Sequence, residues 1–407
     1  MSIDKSNAAR RPTPGVRLTL LLGALTAFGP ISIDMYLPAM PAIAADLATD
    51  AEGAQLTLSS FLIGLAIGQL FYGPLSDRVG RRPPLMIGIV LFVIASIACA
   101  FATSITALIV LRFIQALGAC VGPVLARTVV TDIYERRDAA RMFSMLMLVM
   151  GLAPILAPLA GGWVLAFSNW ETIFLVLAGF GVLIGGMVLL RLHESRPEHV
   201  AIHAKTESPF QAIASVARQR QIVGYAIAGG MSTASMFTYI AASPDLLIQT
   251  YGIAPQHYGW IFGANAVGLI AASQVNRALL SRYTSHQLLQ AALRTSVVLS
   301  ALLLAAAITG FGGLVGILVP LFLLITCMGF AMPNGMASAM VIDLKRAGST
   351  SAFVGSIQFA LGAFASAVVG LLHDGSAVPM AAVIACALTL GVIAIQFLVG
   401  KPPAFAS

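Results

Sequence analysis

Residues 56–100 read LTLSSFLIGLAIGQLFYGPLSDRVGRRPPLMIGIVLFVIASIACA. Apolar runs over 55–74 and 85–103 flank a short stretch that holds Asp77, Arg78, Arg81 and Arg82. A helix crossing about 30 Å of hydrocarbon needs roughly 20 apolar residues, because lipid offers backbone polar groups no partner. Each run meets that length, and neither shows the ten-residue alternation of a barrel strand. The segment therefore reads as a helical hairpin in a membrane, turned at a basic loop.

The rest of the chain repeats the pattern. Twelve such runs fall near 17–38, 55–74, 85–103, 106–130, 142–167, 171–190, 222–243, 257–276, 287–309, 313–340, 352–372 and 378–399. The 407 residues are 58% hydrophobic and 10% charged. Soluble chains carry about half apolar and a quarter charged residues. The composition implies an all-α integral membrane protein with twelve transmembrane helices.

The net charge of +7 raises the question of a nucleic-acid partner, and its placement argues against one. Basic residues gather at alternate connections: Arg78, Arg81 and Arg82; Arg136, Arg137 and Arg141; Arg191 and Arg196 to Arg220; Arg277 and Arg282; Lys345 and Arg346. The connections from Pro38 to Ala54 and from Pro244 to Gln256 have none. Such asymmetry puts both termini and the basic loops in the cytoplasm. The first 16 residues are polar and basic, so run one is expected to be an uncleaved anchor. Cys99, Cys120, Cys327 and Cys386 stand singly in apolar runs, which suits packing better than a metal or disulfide framework.

The longest polar stretch, Arg191 to Gln221, divides the chain into six runs before and six after. The expected organisation is an N-terminal bundle over 1–192, a linker over 193–220 and a C-terminal bundle over 221–407. Two equal bundles suit a transporter that rocks about a site at mid-membrane. His199 and His203 lie four apart in the linker, but no third ligand is near, and a solvated linker is the better reading.

Charges deep in lipid are costly, and those retained usually work. Asp34 in run one and Arg112 in run four stand out. If run one ends near Pro38, Asp34 lies about 6 Å below the outer surface and Arg112 about 9 Å below it. The similar depth predicts that they pair, directly or through water. A buried pair is a weak stability device, so proton coupling is the sharper reading: burial and a nearby guanidinium tune the proton affinity of Asp34. Gln115, one turn beyond Arg112, is placed to bond to it or to substrate. Pro30 frees the carbonyl of Thr26 and is expected to kink the first helix.

In run five, Pro154 and Pro158 bend the helix, while Gly161 and Gly162 let a neighbour approach closely. Tyr36, Gln115, Tyr239, Asn265, Asn334 and Gln358 are the polar groups able to face a central cavity, with Met35, Met147, Met236 and Phe237 as adaptable apolar neighbours.

Four signatures carry a family resemblance. Gly73-Pro-Leu-Ser-Asp77-Arg78-Val-Gly80-Arg81-Arg82 resembles the loop between helices two and three of the major facilitator superfamily. Ile33-Asp34-Met35-Tyr36-Leu37-Pro38 resembles the helix-one motif of its drug:proton antiporters, and Leu111-Arg112-Phe113-Ile114-Gln115-Ala116-Leu117-Gly118 their helix-four motif. Gly151-Leu-Ala-Pro154-Ile-Leu-Ala157-Pro158-Leu-Ala-Gly161-Gly162 resembles the helix-five antiporter motif. Together with residues 235–244, the combination is similar to the Bcr/CflA branch of bicyclomycin and chloramphenicol resistance transporters.

The resemblance implies two six-helix bundles in the bacterial inner membrane. It also implies a monomer that exports small lipophilic neutral or monocationic compounds against protons. It makes Asp34 the protonatable acid and Arg112 its helix-four partner. Gly73, Asp77, Arg78, Gly80 and Arg81, joined by Asp132, become an inner gate. The proton gradient is the energy source, and no other cofactor or metal is called for. Two positions depart from the pattern: Ala157 replaces a glycine, and helix one holds no second acid. The alternative is a symporter or facilitator of the same fold that imports a small metabolite. An intramembrane enzyme would need a Ser–His, two-acid or metal constellation inside the runs. None of the six His residues lies at mid-membrane.

Overall fold

The computed structural model of the chain describes residues 16–134, 136–196, 209–343 and 346–400. His199, His203, Lys205, most of the expected linker and the side chain of Met147 lie outside what it describes. Twelve helical spans follow one another. The first, α1, is broken into Val16–Thr26, Phe28–Asp34, a tight turn at Leu37–Ala39 and Met40–Asp46. Then come α2 (Ala51–Val79), α3 (Arg82–Ala100), α4 (Ile105–Ile133), α5 (Arg136–Phe167) and α6 (Glu171–Arg191). A short amphipathic helix, Pro209–Ala217, precedes α7 (Arg220–Pro244), α8 (Pro255–Leu279), α9 (Ser285–Thr309), α10 (Gly313–Ile342), α11 (Ala347–Leu371) and α12 (Val378–Ala394).

Among the described residues, nine of these are long and apolar enough to cross a membrane, and α1 makes a tenth when its bent pieces count as one span. The remaining two, α7 and α8, have the length but more polar residues, among them Ser232, Thr233, Ser235, Asn265, Ser273 and Asn276. Buried hydroxyls on α7 return their protons to carbonyls one turn back, as Thr233 does to Gly229 and Thr238 to Ala234. That satisfies them without another helix.

Run one does not end near Pro38. The chain bends by 45° at Ala27, just ahead of Pro30, and helix resumes beyond Pro38 to Asp46. Asp34 therefore lies about 18 Å of helix from that end, deeper than expected. Helix five behaves differently, since its helix runs unbroken through Pro154 and Pro158.

The two halves meet along two seams. In one, α2 lies along α11: the Ser356 hydroxyl donates to the Ala66 carbonyl at 2.8 Å. In the other, α5 lies along α8, where a Cβ on Gly259 would come within 2.7 Å of Leu159 and one on Gly162 within 2.8 Å of the Pro255 carbonyl. The turn of α1 also touches α7 and α8.

Candidate functional site

The first element of the site is Arg112 on α4. It is fully buried. Its Nη1 donates to Gln115 Oε1 at 2.7 Å and to the Ser32 carbonyl at 3.1 Å, and Gln115 Nε2 donates onward to Ser96 at 2.7 Å. The guanidinium lies over Phe61 at 4.2 Å and Tyr36 at 4.6 Å, with Phe174 at 5.8 Å. Its Nε and Nη2 have no acceptor. Aromatic faces thus replace the carboxylate such a cation usually has.

The expected pairing of Asp34 with Arg112 is not present. Helix geometry explains why. Arg112 reaches the face of α1 that carries Ser32 and, one turn on, Tyr36; Asp34 is two residues from Ser32, about 200° around the axis. Matching depth did not decide azimuth. Asp34 is buried and forms no hydrogen bond or ion pair among the described residues. Its carboxyl instead lies close enough to couple electrostatically to Tyr239 of α7 and Tyr258 of α8, across the seam between halves. There the Asn265 amide donates to the Tyr239 hydroxyl at 2.8 Å, and Ser243 and Tyr258 hydroxyls share a hydrogen bond of 2.8 Å. Phe262 stacks on Tyr239 at 5.7 Å.

The structure therefore gathers Asp34, Tyr239 and Asn265, and separately Tyr36, Arg112 and Gln115. Tyr36 bonds through its hydroxyl to Thr57. Met35 is buried and Met236 half-buried, while Phe237 packs near Phe359 and against Gly362. Asn334 belongs elsewhere, since it donates to Asn276 at 2.6 Å near the inner end of α8. Sequence reasoning missed Phe61, Phe174, Ser96, Ser243 and Tyr258; an aromatic or hydroxyl in an apolar run carries no mark of its partner.

In helix five, a Cβ on Gly161 would strike the Met35 carbonyl and one on Gly162 would meet α8. One glycine seats α1 beside Asp34 and the other seats the opposite half.

At the loop between α2 and α3, Arg81 Nε and Nη2 grip Asp132 at 2.8 and 3.3 Å, while Nη1 bonds to Asp77 and to Ser76. Ser76 bonds to the Gly73 carbonyl. Gly80 has φ +102°, and a Cβ there would strike the Glu194 carboxylate. That carboxylate takes the amides of Arg81, Arg82 and Arg196, and Arg196 Nη1 ties down the carbonyls of Asp77 and Arg78. The Arg78 side chain itself is exposed. Among the described residues every partner in this network precedes residue 197, so it clamps the first bundle rather than bridging two. Glu194 and Arg196, which fall in the expected linker, are thus part of this network, and their distance in sequence hides that role.

Arg127 on α4 and Arg294 on α9 also lie inside spans, which corrects the expectation that Asp34 and Arg112 were the notable charges there. Arg294 borders a shallow groove with Gln290 and Gln396.

A family model described as Major Facilitator Superfamily matches residues 21–367. An uncharacterized MFS-type transporter, YdgK of Bacillus subtilis, is 36% identical over 94% of this chain and 96% of its own. The bicyclomycin resistance protein homolog of Haemophilus influenzae is 28% identical, again over 94% and 96%. The multidrug resistance protein MdtL of Klebsiella pneumoniae is 30% identical over 87% and 89%. Among solved structures, a D-xylose-proton symporter superposes with a TM-score of 0.72, covering 95% of this chain and 98% of its own at 16% identity.

Proposed function

We propose that this chain, which belongs to the Major Facilitator Superfamily, is a proton-coupled antiporter that exports small lipophilic compounds by alternating access. The family and the multi-pass helical fold make it a membrane transporter of small molecules. The relatives named for bicyclomycin and multidrug resistance support efflux over uptake. The likeness to a sugar symporter, at 16% identity, speaks for the fold alone.

The observation that carries the proton coupling is Asp34: a buried carboxyl with no ion partner, set where the two halves touch. An unpaired acid in such a place is stable when it holds a proton. Moving the halves apart would admit water and favour release. Protonation would thereby follow which side is open, and a substrate that displaces the proton would be exchanged for it. The substrate would meet the aromatic and hydroxyl surface of Tyr239, Tyr258, Phe262 and Asn265. Arg112 holds the α1–α4 contact in register through Ser32 and Tyr36. In this reading the protein works as a monomer in a bacterial inner membrane, with both termini cytoplasmic and protons as its only coupling partner.

Reconstituted in liposomes, the Asp34→Asn variant should still exchange substrate down its gradient but should lose accumulation driven by an imposed pH difference. Uphill transport by that variant at the normal rate would end the coupling proposal.

A further inference from the structure

Helix α9 stands at the edge of its half, packed chiefly against α10 and α12. Its free face is marked by Val298 and Leu302, two exposed apolar residues one turn apart. On a helix that crosses a membrane, such a stripe meets lipid. Arg294 heads the same stripe, one turn before Val298, and is exposed as well. Among the described residues it forms no hydrogen bond or ion pair. Asp343, an acid at the end to which α10 returns beside the start of α9, is occupied by Gln219 and Arg346. A guanidinium on a lipid face is costly unless it finds an anion or reaches the interface.

The surface beside Arg294 supplies a seat for such an anion. Gln290, Leu293 and Arg294 of α9 face Val392, Ile395 and Gln396 of α12 across a shallow groove. Helix α9 starts at the capping box on Thr284, and α12 finishes in a π-helical turn, Ile395–Val399. Gln290 lies about 8 Å along α9 from its start, and Gln396 about 5 Å from the finish of α12. Helical side chains lean toward the N-terminus, so Arg294 brings its guanidinium back toward the level of these two amides. Leu293 and Val392 line the groove deeper in, and Val298 and Leu302 continue the apolar surface beyond. Polar groups near the helix ends and apolar ones below match the build of a phospholipid. The surrounding charge has one sign. Arg220 donates to the Phe397 carbonyl at 2.5 Å at this end of α12, and Arg277 and Arg282 stand between α8 and α9. In the orientation proposed above, this is the cytoplasmic leaflet, where basic clusters recruit anionic lipids.

We propose that the α9–α12 groove binds one anionic phospholipid. Arg294 meets its phosphate, Gln290 and Gln396 donate amide hydrogens to headgroup or ester oxygens, and an acyl chain runs along Val298 and Leu302. The lipid thereby staples two peripheral helices of the second half at one end. The site is separate from Asp34 and does not rest on the antiport reading.

The test uses the purified full chain in a neutral detergent, with phosphatidylglycerol and phosphatidylcholine of identical acyl chains as probes and bound lipid counted by native mass spectrometry. The wild type should retain one phosphatidylglycerol in preference to phosphatidylcholine, a measurement that needs no variant to fold. Arg294→Gln should weaken phosphatidylglycerol about fivefold, the effect of one cation near a headgroup. Arg282→Gln, in the connection before α9, should leave it unchanged. Excess inorganic phosphate should not displace the lipid, because the acyl chain contributes to its hold. Equal retention of the two lipids by the wild type, or unchanged phosphatidylglycerol binding in Arg294→Gln, would overturn the proposal. So would an equal loss in Arg282→Gln, which would assign binding to diffuse surface charge, or displacement by phosphate, which would reduce the groove to a simple anion site. No pH difference is imposed, so the outcome is independent of whether transport is coupled to protons.

Discussion

A guanidinium buried without a carboxylate must be held by geometry, and at Arg112 that geometry is planar. The ring faces of Phe61 and Tyr36 lie 4.2 and 4.6 Å from it, and one nitrogen serves both Gln115 and the Ser32 carbonyl. A lysine keeps the charge and loses the plane, so Arg112→Lys should cut proton-driven flux by about tenfold or more. A wild-type rate in that variant would mean that charge alone suffices. Glu194 makes the opposite case, an anion outside the membrane. Burial alone would raise its pKa, but the backbone amides of Arg81, Arg196, Arg82 and Ser195 outweigh that and hold it below the usual carboxylate range. Because the folded pKa is depressed, its contribution is complete above about pH 4.3 and is lost as pH falls through the lower folded value. Glu194→Gln should therefore unfold at a lower temperature than the wild type near neutral pH, and the gap should close as pH falls below the ordinary carboxylate range. A gap that is constant with pH would assign the loss to packing instead.

At the scale of elements, adjoining glycines on α5 do different jobs. The Gly161 position is filled by the Met35 carbonyl of α1, inside one half, and the Gly162 position by Pro255 and Gln256 of α8, across the seam. Gly161→Ala should destabilise the first bundle, lowering its unfolding temperature. Gly162→Ala should instead bias the protein away from the outward-closed state. In a background without native cysteines, labelling of Ser243→Cys by an impermeant maleimide from outside should rise, about tenfold for each 1.4 kcal/mol of bias. Unchanged labelling would remove Gly162 from the seal. The Gly-Gly pair was visible in the sequence because small residues in an apolar run have one common use, close packing; which helix each admits was not. The same limit applies elsewhere. The twelve spans, the basic loops and the Arg81–Asp132 contact were legible from run length, charge placement and a family signature. The break at Ala27 was not, because Pro30 signals a lost hydrogen bond but not the position or size of the bend. Neither was the separation of Asp34 from Arg112, since position along a helix fixes height and leaves azimuth open until the neighbours are known. Arg127 escaped notice because it lies near a helix end, where a basic residue is ordinary.

For the molecule as a whole, the arrangement of seams sets which motion remains possible. The α2–α11 and α5–α8 seams join the halves, and the turn of α1 closes onto α7 and α8. The inner half of α4 is packed by its own bundle, and Arg127 there is exposed. Opening to the outside must therefore separate the α1 turn from α7 and α8 and draw Gly162 away from Pro255 and Gln256. Rigid bundles rocking about the middle of the membrane would do this without unfolding either. A disulfide at that contact should block the motion and nothing else. The site for it is Ile155 and Gly263 on the same α5–α8 seam, because an added Cβ at the glycine would lie 4.0 Å from the Ile155 Cβ, a separation that a cystine bridge spans. With native cysteines removed, oxidised Ile155→Cys/Gly263→Cys protein should still bind ligand yet transport none, and reduction should restore transport. Binding and transport lost together would mean the bridge distorts the site itself. Transport that continues while the bridge is demonstrably formed would show that the outer seam does not part during the cycle, and the rocking mechanism would have to be replaced by local movement of α1 alone.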